Sequence, residues 1–298
     1  MPRLEDSPRR GRRSRVALGG IAALAALALS GCTKAASRGW LPPGASDGAE
    51  RVQTLWVGMW IAALGVGALV WGLTIWCIIR YRRKPGDTGL PPQLRYNVPI
   101  EILYTVVPIM MVAVIFFFTA RDEAVLLQRD PDPDVTVNVV GKQWSWDFNY
   151  IDDEVWESGI QAELTGRPGV EETLPTLYLP ENSRVEFVLT ARDVIHSFWV
   201  PAFQQKLDMI PGKVNYLQVT TREPGQFQGK CAELCGAYHA TMLFNVHVVT
   251  QEEFDAHMAD LRDRGQTGML DNSLSRQHLV PGEPAYQQYQ PEQFEGGN

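Results

Sequence analysis

The sequence predicts a membrane-anchored all-β protein, in which a two-helix transmembrane hairpin precedes an antiparallel sandwich or barrel. Three observations predict it. Residues 52–79 and 102–120 carry no charged side chain, and a helix needs about 20 apolar residues to cross a bilayer. From Asp134 the apolar period changes to two, with Val135, Val137 and Val139 alternating with polar neighbours as in a half-buried strand. Short alternating stretches broken by Pro and Gly turns then recur as far as Val249.

A chain of 298 residues with 45% apolar composition can hold two spans and a sizeable domain. Its cysteines are Cys32, Cys77, Cys231 and Cys235, too few for a disulfide scaffold. The net charge of −7 hides an asymmetry: residues 121–298 hold 28 acidic and 13 basic side chains, while residues 1–120 hold 14 basic and 6 acidic. The acidic half suits docking of a basic partner, although solubility of an exported domain accounts for the same charge. Nucleic acid is not an expected partner.

In chain order, residues 1–31 read as an export signal. Arg9, Arg10, Arg12, Arg13 and Arg15 form a positive region ahead of an Ala/Leu-rich stretch from Val16 to Gly31. Leu29-Ser30-Gly31-Cys32 looks like a bacterial lipobox, which implies lipidation of Cys32 and cleavage before it; a third transmembrane helix is the alternative. Lys34–Arg51 reads as a linker. Val52–Ile79 is the first span, with Trp56, Trp60, Trp71 and Trp76 as interfacial aromatics. Arg80, Arg82, Arg83 and Lys84 place its far end in the cytoplasm by the positive-inside rule. A loop with Pro85, Gly86, Pro91 and Pro92 leads to the second span, Ile102–Ala120, bounded by Glu101 and Arg121 and containing Pro108. Two spans leave residues 121–298 outside the cell.

Strands are expected near Thr176–Leu179, Arg184–Thr190, His196–Val200, Lys213–Thr220, Gln226–Gly229 and Leu243–Val249. Residues 151–173, with Asp152, Asp153, Glu154, Glu157, Glu171 and Glu172, read as an acidic loop that touches a partner subunit or water. Thr250-Gln251-Glu252-Glu253 is a capping box opening a helix of about 251–263. Beyond Arg264 the chain is rich in Gln, Gly, Pro and Tyr with no apolar period, and by itself it has too little apolar surface to fold.

The chemistry concentrates at Cys231-Ala232-Glu233-Leu234-Cys235-Gly236-Ala237-Tyr238-His239-Ala240-Thr241-Met242. Thiolate and thioether are soft donors that suit copper, and imidazole also accepts it. A blue-copper site takes one Cys, two His and a weak axial Met, so two Cys, one His and a Met in twelve residues offer donors for two metals once a second His is supplied. Two sulfurs could bridge a pair of copper ions, and such a centre carries one electron with little rearrangement. From these residues alone, a disulfide or a zinc site remains open. Asp193-Val194-Ile195-His196-Ser197 supplies the second imidazole. His247, His257 and His278 read as a strand, a helix and a tail residue, not as ligands.

Together these segments resemble subunit II of the haem–copper cytochrome c oxidases, from about Glu101 to Val249. The resemblance implies that Cys231 and Cys235 bridge two coppers, that His196, His239 and Met242 are terminal ligands, and that Glu233 ligates through its backbone carbonyl. It implies that the Glu233 side chain reaches a magnesium or manganese ion shared with subunit I, and that Glu101 stands at the mouth of a proton pathway; a helix-terminal acid is the alternative. Gly141-Lys142-Gln143-Trp144-Ser145-Trp146 is similar to the family's aromatic segment, where the first tryptophan, here Trp144, meets cytochrome c; an aromatic core accounts for Trp146 or Phe148. Lys206–Lys213 matches a segment facing subunit I, with Asp208 a supporting residue or a turn cap. Asp193 is expected to orient His196.

The implied fold is a cupredoxin Greek key. The expected division is a signal at 1–31, a linker at 32–51, the hairpin at 52–120, the dicopper domain at 121–250, and a helix and extended tail at 251–298. The implied function is acceptance of electrons from cytochrome c, soluble or tethered to a cytochrome bc complex. They pass to haem and a further copper in subunit I, where oxygen is reduced and protons are pumped. Subunits I and III and membrane lipid are the implied partners, and the bacterial cell membrane the location. Two rivals are a dicopper subunit of a nitrogen-oxide reductase and a copper-delivery protein. The Glu101-led hairpin and Trp144 favour the oxidase.

Overall fold

The computed structural model describes residues 33–86, 88–90, 93–162 and 173–270. The export signal, Cys32, Pro91, Pro92, Glu171, Glu172 and the tail from residue 271, His278 included, lie outside the described residues. Chain contacts divide at Pro42. Among its described residues the first unit contains a short helix, α1 (Thr33–Ser37), within the stretch expected as a linker.

In the second unit, α2 (Ala49–Arg80) and α3 (Val98–Leu126) are both long and apolar enough to cross a membrane. At 1.5 Å per residue they run to about 48 and 44 Å, longer than the roughly 30 Å hydrocarbon core. Each therefore overshoots the charge-free run that predicts it. At one end of α3, Asn97 accepts from Ile100 N–H and Glu101 Oε1 accepts from Asn97 N–H at 2.8 Å, a reciprocal cap for otherwise orphaned amides. At the other end, Arg51 and Arg121 both bond Asp122 Oδ1, at 2.9 and 2.8 Å, which ties α2 to α3. The residues just before α2 are not free linker either. Ala45 N–H donates to Ala202 O, and Asp47 N–H donates to Thr220 O, so the hairpin hangs directly from the sandwich.

Among the described residues ten strands follow: β1 (Val135–Lys142), β2 (Ser145–Tyr150), β3 (Val155–Ser158), β4 (Thr176–Pro180), β5 (Arg184–Ala191), β6 (His196–Val200), β7 (Gln205–Met209), β8 (Asn215–Thr220), β9 (Gly225–Cys231) and β10 (Leu243–Val249). They form two five-stranded sheets, ordered β3-β2-β1-β5-β8 and β4-β10-β9-β6-β7. The expected all-antiparallel pairing is corrected at two places, because β1 runs parallel to β5 and β4 parallel to β10. The chain crosses to the opposite sheet between β3 and β4 and back before β5, so β5 meets β1 by a crossover rather than a hairpin.

The core lies between the sheets. Trp146, Phe148 and Tyr150 from β2 meet Phe187 of β5, Phe198 of β6 and Phe244 of β10, all essentially inaccessible. Both Trp146 and Phe148 are thus core residues. After β10, helix α4 (Gln251–Asp263) carries the expected capping box at Thr250 and Glu253 and buries Phe254, Met258 and Leu261. Two strands depart from expectation. β3 occupies part of the supposed acidic loop, where Asp153 pairs with Arg262 and Glu157 with His257 of α4. β7 occupies Lys206–Met209 and the residue before. The first residues past α4 also return to the sheet: Trp156 N–H donates to Gln266 O, and Gly268 N–H to Glu154 O.

Candidate metal centre

Strand direction gathers the donors. β6 and β10 both run antiparallel to β9, so their first residues lie beside its last. His196 opens β6, Cys231 closes β9, and residues 232–242 bridge to β10 through a 3-10 turn at His239–Thr241. Cys231 Sγ and Cys235 Sγ lie 3.8 Å apart and both cysteines are free. His196 Nδ1 faces Cys231 Sγ at 3.8 Å, His239 Nδ1 faces Cys235 Sγ at 3.5 Å, and Met242 Sδ lies 3.8 Å from Cys235 Sγ. Cys231 Sγ also points at Glu233 O, at 3.2 Å, while the Glu233 side chain is exposed. Met242 is fully buried, and its carbonyl accepts from Cys231 N–H.

The donor atoms of His196, Cys231 and Cys235 all lie within 4.8 Å of one another. The sulfur separation of 3.8 Å is shorter than two metal–sulfur bonds of about 2.3 Å, so one metal can bond both sulfurs. It is well beyond a disulfide bond of about 2.05 Å. Two thiols, two ring nitrogens and a thioether, all buried but for the partly exposed His239, are the soft set that copper takes. The residues present fit such a group.

Electrostatics point the same way. Burial raises the Cys231 thiol, but hydrogen bonds from His196 and from the Glu233 and Ser197 backbone outweigh it and hold it at about 6. Burial and then the Cys231 charge push Cys235 up to about 12. Two sulfurs so close cannot both ionise in a dry site without a cation, and a metal ion supplies that charge.

Asp193 holds the imidazole. Its Oδ1 bonds His196 Nε2 at 2.8 Å, its Oδ2 accepts from Gln143 N–H at 2.7 Å, and Val194 N–H donates at 2.8 Å. Burial raises the Asp193 carboxyl, yet these bonds keep it below its ordinary value. Burial lowers His196, and its bond to Asp193 more than restores it. The pairing leaves Nδ1 for the sulfur side, the arrangement found around metal-bound histidines. On β1, a Cβ at Gly141 would lie 3.0 Å from the His196 ring, a tight contact that the glycine avoids.

Trp144 is half-buried. Its Nε1–H donates to Cys235 O at 3.3 Å, and its ring meets Tyr238 edge-on at 4.9 Å. Asp208 pairs with Ser197 across β6 and β7, and its carbonyl accepts from Asn215 Nδ2. Glu101 lies on α3, at the cap described above. Sequence reasoning missed Gln143, whose Nε2–H donates to Cys235 O at 2.8 Å. The only signal for it was its place beside Trp144.

A β-sandwich that follows two helices long and apolar enough to cross a membrane, with a thiol–imidazole–thioether cluster at one end, is a candidate metalloprotein. Residues 135–249 match the family described as cytochrome C oxidase subunit II, periplasmic domain. The chain is 44% identical over 306 residues to "Probable cytochrome c oxidase subunit 2" of Streptomyces avermitilis, covering 91% of this chain and 94% of that protein. It is 34% identical to cytochrome c oxidase subunit 2 of Mycobacterium bovis, covering 84% and 82%. The solved periplasmic domain of subunit II of cytochrome oxidase from Bradyrhizobium japonicum is 32% identical, covers 45% of this chain and 97% of its own, and superimposes with a TM-score of 0.42. The chain belongs to the cytochrome c oxidase subunit II family, and its sandwich is cupredoxin-like.

Proposed function

We propose that this chain is the electron-receiving subunit of a respiratory cytochrome c oxidase, with residues 121–298 outside the cell membrane. Cys231 and Cys235 would bridge two copper ions, with His196, His239 and Met242 as terminal ligands and the Glu233 carbonyl as a further one. Bound there, the pair supplies a one-electron carrier that changes shape little. The reading is carried by one observation: three buried donors from two distant segments within 4.8 Å of one another, with the second imidazole and the thioether beside them.

The chain's own residues have distinct tasks. Asp193 fixes the His196 ring. Met242, Phe198 and Trp146 exclude water from the sulfurs. Trp144 receives the electron from cytochrome c, since its half-buried ring is one hydrogen bond from the Cys235 peptide. The exposed Glu233 carboxylate offers hard oxygen donors to a magnesium or manganese ion shared with subunit I. Asp208 belongs to the same interface. Glu101 serves a proton pathway into subunit I in the assembled enzyme, in addition to its role as cap. Oxygen reduction and proton pumping belong to the complex with subunits I and III, with haem and a further copper in subunit I.

The assembled oxidase tests this. Trp144→Ala should lower kcat/KM for reduced cytochrome c about thirtyfold, the weight of an aromatic interface anchor of about 2 kcal/mol, with the copper absorption unchanged. Collapse of that absorption would make Trp144 a structural residue instead.

A further inference from the structure

Gln143 lies outside the donor set, yet its hydrogen bonds join the two halves of the centre. Its backbone N–H donates to Asp193 Oδ2 at 2.7 Å, and Asp193 Oδ1 holds His196. Its side-chain Nε2–H donates to Cys235 O at 2.8 Å. The Trp144 indole N–H donates to the same carbonyl at 3.3 Å. A carbonyl has two lone pairs, so one dipeptide saturates the acceptor of a proposed ligand.

The backbone is shaped around this contact. Gly236, next to Cys235, adopts a φ of +127°, which L side chains rarely take, and a Cβ there would lie 3.1 Å from both Gln143 Nε2 and Trp144 Cζ2. Gly141 leaves the equivalent room for His196 on the other side. Two glycines, one on each flank, thus admit the 141–144 segment between the His196 and Cys235 loops.

We infer that Gln143 is a positioning residue for electron uptake. It holds the Trp144 ring and the Cys235 peptide in one frame and locks that frame to the Asp193–His196 pair. The ring facing the donor and the ligand beneath it then move as a unit. The transferred species is one electron, lost by reduced cytochrome c and gained by the centre, with no bond made or broken. Preorganisation of this kind acts on the transfer step rather than on docking. The inference rests on the electron-receiving role proposed above.

The test uses the assembled oxidase with Gln143→Met, which keeps side-chain length and removes the donor, and Gln143→Glu, which presents an acceptor to the carbonyl. Both should keep two coppers per chain and the parent's affinity for cytochrome c. The first-order rate from bound, photoreduced cytochrome c should fall about tenfold, the weight of one hydrogen bond. In the copper-free full-length chain, exchange of the Trp144 indole proton should quicken by a similar factor. A transfer rate within twofold of the parent, or a loss carried entirely by affinity, overturns the inference. Loss of copper from both variants overturns it as well, because Gln143 would then be part of the centre's scaffold. If the parent itself binds no copper pair, the functional reading fails, and the indole exchange alone decides whether Gln143 positions Trp144.

Discussion

Gly236 shows how narrowly the site is built. With φ at +127° and Gln143 and Trp144 at 3.1 Å from any added Cβ, Gly236→Ala must strain the backbone or push the 143–144 segment away. The expected cost is about 1–3 kcal/mol, read as a lower unfolding midpoint, together with an altered copper absorption. An unchanged midpoint and spectrum would mean that the loop accommodates a side chain freely. At this scale the donor list was legible, because Cys231, Cys235, His239 and Met242 fall within twelve residues and each offers a soft or imidazole atom. Asp193 was legible too, three positions before His196. Gln143 was not: its partner is a backbone carbonyl 92 positions away, and carbonyls leave no mark in a sequence.

Among the elements, period two and turn residues marked most strands, and the exceptions have physical causes. β3 was hidden because its neighbours are acidic. The structure answers those charges from α4, with His257 on Glu157 and Arg262 on Asp153, so a stretch that reads as solvated is docked. The parallel β1–β5 and β4–β10 pairs were hidden because alternation fixes faces and not partners. The same α4 contact gives a pH prediction. His247 on β10 packs edge-on against Tyr178, which stacks on His257. Burial lowers His247 below its ordinary 6.5, opposed by Glu157 and reinforced by His257. Its folded value being depressed, the unfolded chain takes the proton first as pH falls from 6.5. The His247 contribution to stability should therefore be lost on acidification through that window and be constant above it. His247→Gln should flatten that part of the curve. A slope unchanged in the variant would contradict the assignment.

For the whole molecule, hydropathy made the two long helices readable, since long uncharged runs need no tertiary context. What they did not reveal is how the hairpin is fastened. The Asp122 clamp joins α2 to α3, and residues 45–47 bond to the sandwich, so the segment expected as a linker fixes the domain to the membrane anchor. A fixed domain suits the electron-receiving role proposed above. The account as a whole depends on the metal content of the cysteine cluster. The decisive measurement is copper stoichiometry with electron paramagnetic resonance on the full-length chain, purified in detergent and loaded with copper. Two coppers per chain sharing a single unpaired electron are predicted. One copper per chain, a zinc ion in its place, or a Cys231–Cys235 disulfide in the working protein would contradict the account.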